Sequence, residues 1–218
     1  MIIYGSGLSP FVRKVLFFAH EKGIAVDLRM AGMGAGGEDF AAASPFRKMP
    51  ALRDPGADGG RDFTISDSSA IVTYIEAKFP DPALIPSDPI SRARTIWWDE
   101  FGDTLLMKAC APVFFNRVVA PRFLKRPGDM AAADAAVRDE LPPLFDYLER
   151  TIPDTGFLVD DRLTLADISV VCPLVNLEYC DVAMDPVRWP RTIAYRDAIL
   201  GRPGIADLVA GERRLMAA

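Results

Sequence analysis

A serine followed by proline at the mouth of a helix is the first place in this chain where residue types and spacing suggest chemistry. Ser9-Pro10-Phe11 separates an apolar run, Met1-Ile2-Ile3-Tyr4, from the stretch Val12 to Gly23. In that stretch Val12, Val15, Leu16 and Ala19 recur at the i, i+3, i+4, i+7 spacing of an amphipathic helix. Pro10 suits the first helical position, because its fixed φ is helical and its missing N–H would have no partner there. Ser9 is then the N-cap. Its hydroxyl lies where the first backbone N–H groups and the positive end of the helix dipole converge, and Gly5, Ser6 and Gly7 permit a tight turn from strand to helix. Such a place favours an anion; the plain alternative is a serine that only caps its helix.

Other chemical groups are few. His20 is the only histidine and lies inside the same first helix as Ser9's cap, which does not suit a Ser-His-Asp hydrolase. Cys110, Cys172 and Cys180 are odd in number and include no CxxC pair, so neither a disulfide framework nor a zinc site is expected, and no metal. The chain carries 25 basic and 30 acidic residues, net charge −5, with no long basic block. That balance disfavours nucleic acid and anionic membrane as partners, and the cluster Arg117, Arg122, Lys125, Arg126 reads as a solvated rim. No run approaches the roughly 18 apolar residues of a membrane span and no signal segment is evident, which points to the cytoplasm.

The elements that position these groups follow in order. Ile24 to Met30 alternates apolar and polar and predicts a second strand, so strand, helix and strand form a βαβ unit with parallel strands. Ala31 to Gly37 reads as a glycine-rich loop with no clear helix after it. The stretch from Ser44 to Leu52 leads into a third strand. Asp54 to Gly60 carries turn residues, and a fourth strand at Phe63 to Ile65 completes a hairpin. Ser66 or Asp67 caps a further helix that ends before Pro80. Phe79 to Pro89 holds four prolines in eleven residues and marks a linker over 80–89, between domains at 1–79 and 90–218. Beyond it everything reads as helix: Ile90 to about Val119 with a break near Pro112, Met130 to Thr151, Leu165 to about Tyr179, Trp189 to Leu200, and a short last helix from about Pro203. Thr164 and Asp167 form a capping box at the third of these, a folding feature.

Four motifs, YGSGLSPFVRKV with Ser9, KMPAL with Pro50, SDSSAI with Asp67-Ser68, and LTLADI with Thr164 and Asp167, stand in an order and spacing that resembles the glutathione transferases over nearly the whole chain. The resemblance is to cytosolic, serine-type, bacterial-like members. It implies a thioredoxin-like N-terminal domain followed by an all-helical C-terminal domain (α/β plus all-α), glutathione as co-substrate, a cis bond at Met49-Pro50, and a homodimer. Arg47 stands where many members have glycine, and Asp67 replaces the commoner glutamate.

The chemistry of the matching residues agrees with that resemblance. Asp67 offers a carboxylate for the ammonium of glutathione's γ-glutamyl end, and Ser68 offers N–H and hydroxyl for its carboxylate. Pro50 holds Met49 extended, so that its N–H and C=O can pair with the tripeptide as an added strand. Lys48 is within reach of the glycyl carboxylate. Ser9 would donate a hydrogen bond to the thiolate, with Ser6 or Tyr4 the next candidates. The second substrate, a small electrophile, is expected in an apolar cavity between the domains, with Leu8, Phe11, the Met33 loop, Phe101, Leu105, Cys110, Phe114 and Phe115 as candidate walls. The alternatives are a glutathione-dependent isomerase or lyase, disfavoured by LSPFVRKV in place of an SSCSWRVR-type motif, and a non-enzymatic dimerisation or regulatory module, disfavoured by the intact Ser9 and Asp67-Ser68.

Overall fold

The computed structural model of the chain describes residues 1–32 and 34–217. Two compact units divide between Ile85 and Pro86.

In the first unit, β1 (Ile2–Tyr4), β2 (Asp27–Arg29), β3 (Ala51–Asp58) and β4 (Arg61–Ser66) form one sheet in the order β2-β1-β3-β4. The helix α1 (Pro10–Glu21) joins the parallel strands β1 and β2, and β3 runs antiparallel to both β1 and β4. The second strand is shorter than Ile24 to Met30. It lies at the sheet edge with all three residues exposed, so the alternating pattern gains little burial there. The third strand is longer than expected. It passes through Pro55 and Gly56 to Asp58 with a register shift after Asp54, and the turn shrinks to Gly59-Gly60. β1 pairs with β3 no further than Arg53, so Pro55 lies where one side of the ladder is open and its missing N–H costs no inter-strand bond to β1.

Two helices depart from the sequence pattern. A seven-residue helix, α2 (Gly37–Ala43), follows the glycine-rich loop where none is expected. Seven residues are too few to display a helical period. Here helicity comes from burying Phe40 and Ala43 against Tyr4, Ala31 and Ala51, with Glu38 and Asp39 at the positive end of the dipole. The first helix is buried all round from Val12 to Ala19, Arg13 and Lys14 included, which its amphipathic pattern does not foretell. The helix α3 (Ser68–Lys78) closes the unit.

A buried ion pair ties the proline-rich stretch to this unit. The Lys22 ammonium, wholly buried, donates to Phe79 O and Pro82 O at 2.7 Å each and pairs with Glu76 at 2.8 Å. Glu76 in turn accepts from Leu84 N–H at 3.3 Å. Residues up to Ile85 therefore belong to the sheet unit.

The second unit is helical: α4 (Pro89–Glu100), α5 (Met107–Phe114), α6 (Met130–Ala135), α7 (Leu141–Thr151), α8 (Leu165–Glu178), α9 (Pro190–Leu200) and α10 (Ile205–Ala217). The expected break near Pro112 does not occur. Helix is continuous from Pro89 to Phe123, with π-helical stretches at Phe101–Leu106 and Phe115–Phe123, and Pro112 lies inside α5. Asn116, one turn beyond Pro112, donates its side-chain amide to Pro112 O at 2.9 Å. The last helix spans 13 residues and is not short.

Every residue of α8 from Leu165 to Leu177 is buried, as suits a helix apolar on all faces at the centre of a bundle. The helices α4, α5 and α9 and the Phe101–Leu106 stretch pack on it. Gly102 allows the closest approach, since a Cβ there would stand 2.5 Å from Ser169 O. At the head of α8, Asp167 accepts from Leu158 N–H and Thr164 N–H at 2.9 Å each, from Tyr195 Oη at 3.2 Å and from Thr164 Oγ1 at 3.3 Å. Among the described residues no helix is long and apolar enough to cross a membrane.

Two measurements check these accounts. Lys22→Met leaves Glu76 as an uncompensated buried charge and should cost about 3–5 kcal/mol in chemical denaturation, whereas pairing it with Glu76→Gln should recover most of that loss. Burial pushes the Asp167 carboxyl up to about 6, against the four hydrogen bonds it accepts. An acid with a raised native pKa binds more protons folded than unfolded between the two values. Its contribution is therefore fully present below about pH 4 and lost as pH rises through about 6. The stability advantage of the native chain over Asp167→Asn should shrink by up to about 3 kcal/mol from pH 4 to pH 7. An advantage constant over that range would show that Asp167 does not titrate there.

Candidate functional site

Strand register gathers the candidate residues. Tyr4 pairs with Arg29 of β2 and with Ala51 of β3, and Ala51 pairs with Ser66 of β4. These four residues form one row across the sheet. The chain therefore leaves β1 towards Ser9, enters β3 from Met49-Pro50, and leaves β4 into Asp67-Ser68, all at the same edge. From β1 to β4 is two strand spacings, roughly 10 Å, about the span of three residues of extended chain.

The β1–α1 loop is held close to the others. Gly5 N–H donates to Arg29 O at 2.9 Å, and Ala31 N–H donates back to Gly5 O at 3.3 Å. A Cβ on Gly5 would stand 2.4 Å from Val12 Cγ2 and 3.4 Å from Met49 Cβ, so only glycine lets the loop lie against both. Ser9 is the N-cap of α1 with Pro10 following, as its sequence predicts, but its side chain makes no capping hydrogen bond. Its backbone carbonyl does the capping by accepting from Arg13 N–H at 2.9 Å. Ser9 is half-buried as a residue, and its hydroxyl is not consumed by the helix it begins.

Met49-Pro50 is cis, and Pro50 O accepts from Asp67 N–H at 3.3 Å, which links two of the three loops directly. Lys48 is exposed and Met49 half-buried. Arg47, where glycine is common in the resembling family, has φ of +52°, the left-handed region that glycine enters without steric cost.

Asp67 caps α3. Its Oδ1 accepts from Ser69 N–H at 2.9 Å and from Ala70 N–H at 3.1 Å, leaving Oδ2 outside the cap. Asp67 is exposed and holds φ of +87°, an unusual conformation for a residue with a Cβ, while Ser68 is buried. Because β1 and β4 run in the same direction, α1 and α3 both present their N-termini to this edge. Their dipoles make it a region of positive potential.

Lys14 joins these two helices, and sequence reasoning misses it. It is wholly buried, and its ammonium donates to Ser69 Oγ at 3.0 Å, in the first turn of α3. A lysine between apolar helix positions carries no sign of burial in the sequence. Among the described residues no group of three or more His, Cys, Asp or Glu side chains is placed to hold a metal ion.

Comparison with known proteins decides the family. The family model "Glutathione S-transferase, N-terminal domain" matches residues 3–83, and "Glutathione S-transferase, C-terminal domain" matches residues 117–211. The chain belongs to the glutathione S-transferase family. Human glutathione S-transferase theta-1 is 30% identical over 179 residues, covering 80% of this chain and 72% of that protein. Glutathione S-transferase GstB of Escherichia coli strain K12 is 26% identical over 204 residues, covering 90% and 94%. Among solved structures, glutathione transferase F7 of Populus trichocarpa superposes with a TM-score of 0.82 at 27% identity, covering 96% of this chain and 98% of that one. The sheet unit is thus the thioredoxin-like domain of a glutathione S-transferase and the helical unit its C-terminal domain.

The candidate substrate walls in this glutathione S-transferase fare unevenly. Met33 lies outside the described residues. Leu8 and Phe11 are half-buried beside Ser9 in the chain. In the helical unit, Phe101 packs in an aromatic cluster with Trp97, Trp98 and Tyr147, and Cys110 is buried, so both read as core. Leu105 and Phe115 are exposed and Phe114 is half-buried.

Proposed function

We propose that this glutathione transferase activates the thiol of glutathione through Ser9, as a homodimer in the cytoplasm, for attack on a small apolar electrophile. The observation that carries the reading is the shared sheet edge, where a serine hydroxyl not used for capping begins one helix and an aspartate with one oxygen outside its cap begins another. Glutathione, when bound, supplies the nucleophilic sulfur.

The chain's own residues do the rest. Asp67 Oδ2 accepts from the γ-glutamyl ammonium, and Ser68 meets the adjoining carboxylate at the α3 N-terminus. Met49 offers its backbone N–H and C=O as an added strand edge beside Pro50. Lys48 pairs with the glycyl carboxylate. Ser9 donates its hydroxyl proton in a charge-assisted hydrogen bond to sulfur, stabilising it by about 1.5–3 kcal/mol, and the α1 dipole adds about 0.3–1 kcal/mol. At 1.36 kcal/mol per unit these lower a thiol pKa near 8.5 by roughly one to three units, enough to make thiolate prevalent at neutral pH.

The chain's cysteines favour this reading over thiol–disulfide exchange. All three are free and buried. Burial, reinforced by Cys180, pushes the Cys110 thiol far up, and burial pushes Cys180 up to about 11. A reactive cysteine needs a lowered pKa and access.

Asp67→Asn keeps a capping oxygen and a side chain tolerant of positive φ, so it should leave stability within about 0.5 kcal/mol while weakening glutathione binding about 10- to 100-fold. Unchanged affinity in calorimetry would remove Asp67 from the site. Ser9→Ala should raise the pKa of bound glutathione by roughly one to two units, with little change in affinity and slower conjugation at neutral pH. Ser9→Cys should lose conjugation and gain disulfide exchange, in which the native protein should be poor. A Ser9→Ala protein with native rate and an unmoved thiol pKa would shift the role to Ser6 or Tyr4.

A further inference from the structure

The loop that carries Lys48 has little packing to define its path. Pro45, Phe46, Arg47 and Lys48 are all exposed, Phe46 to 85%. Yet Arg47 sits at positive φ and Lys48 must leave the loop in the direction that brings Met49-Pro50 onto the sheet edge. One buried residue holds both ends of this loop. Ser44 is wholly buried at the C-terminus of α2, where its N–H donates to Phe40 O at 2.8 Å and its carbonyl accepts from Arg47 N–H at 2.8 Å. Its hydroxyl acts in both directions on a single residue. Oγ donates to Lys48 O at 2.8 Å and accepts from Lys48 N–H at 3.0 Å.

We infer that Ser44 is a positioning residue of the glutathione site, acting through Lys48 on the glycyl end of the tripeptide. The inference rests on the reading of Lys48 proposed above. Fixing both peptide groups of Lys48 settles the orientation of its Cα–Cβ bond, and so the arc its ammonium sweeps, before any ligand arrives. Ordering that would otherwise be charged against binding is completed on folding. Ser9 belongs to a different loop, leaving β1, so the hydroxyl of Ser44 has no path to the sulfur. Its effect is on affinity and not on thiol ionisation. Only a group that both donates and accepts can make this clamp: alanine does neither and a thiol does both weakly.

The test compares two ligands by calorimetry, glutathione and γ-glutamylcysteine, which lacks the glycyl carboxylate. Ser44→Ala should bind glutathione about tenfold more weakly than the native protein, the cost of roughly one lost hydrogen-bonding group. It should bind γ-glutamylcysteine with less than about a threefold loss, because the group that Lys48 addresses is missing. At saturating glutathione, kcat and its pH profile should be unmoved. Ser44→Cys should fall between native and alanine, and it carries the same comparison if the alanine variant does not fold. General damage to the domain would weaken both ligands alike, so an equal loss on both overturns the inference, as does no loss on either or a shifted pH profile. A native protein that binds neither ligand would overturn the underlying assignment of the site instead.

Discussion

Backbone hydrogen bonding between β1, β3 and β4 is the constraint on which the functional edge depends. Pairing of Tyr4 with Ala51 and of Ala51 with Ser66 sets three loops side by side. A slip of one residue would turn every side chain of a strand to the opposite face and would also move a loop along the edge. The register is held on both faces of the sheet, since Ile3 and Tyr4, like Ala51 and Leu52, point to opposite sides and are all buried almost completely. Burial in the sheet therefore fixes the placement of groups that are themselves exposed or half-buried.

The same topology gives the edge its charge. In a chain of net charge −5, anion attraction has to come from local features and not from the overall field. Two helices of 12 and 11 residues start where parallel strands end, so their partial positive charges add at one place. Lys14, buried between them and bonded to Ser69, keeps the starts of the two helices together. In the reading proposed above, a peptide with carboxylates at both ends and an ionisable thiol between them would meet these dipoles at its centre and γ-glutamyl end and Lys48 at the other.

Much of this was legible in the sequence because the signals were local. Pro10 after Ser9, the turn residues between β3 and β4, and the Thr164-Asp167 box each act over a few residues and report directly on backbone geometry. What was not legible depended on contacts distant in the chain. The short helix α2 exists because Phe40 meets Tyr4 and Ala51, and β3 extends past Pro55 because β1 stops short. Nothing local in the sequence marks Lys14 and Lys22 as buried; Ser69, Glu76 and the carbonyls of Phe79 and Pro82, which pair with them, are distant in the chain. Ser44 reads only as part of the lead into β3, and the folded loop reveals that its hydroxyl closes on Lys48. Continuity through Pro112 escaped a rule that treats proline as a helix breaker, because the packing of α5 on α8 is a contact distant in the chain.

The distribution of sulfur and hydroxyl then limits the kind of reaction the fold can support. A thiol at the start of α1 would ionise readily and would exchange with disulfides, whereas a hydroxyl there can only donate to sulfur brought by another molecule. The chain's own thiols are all buried in the helical unit, where low dielectric keeps Cys110 and Cys180 protonated. The two facts act in the same direction. With a hydroxyl at the start of α1 and the cysteines buried in the helical unit, the mechanism proposed above has nucleophilic sulfur arrive with glutathione, the protein's part being to stabilise its charge and to orient it.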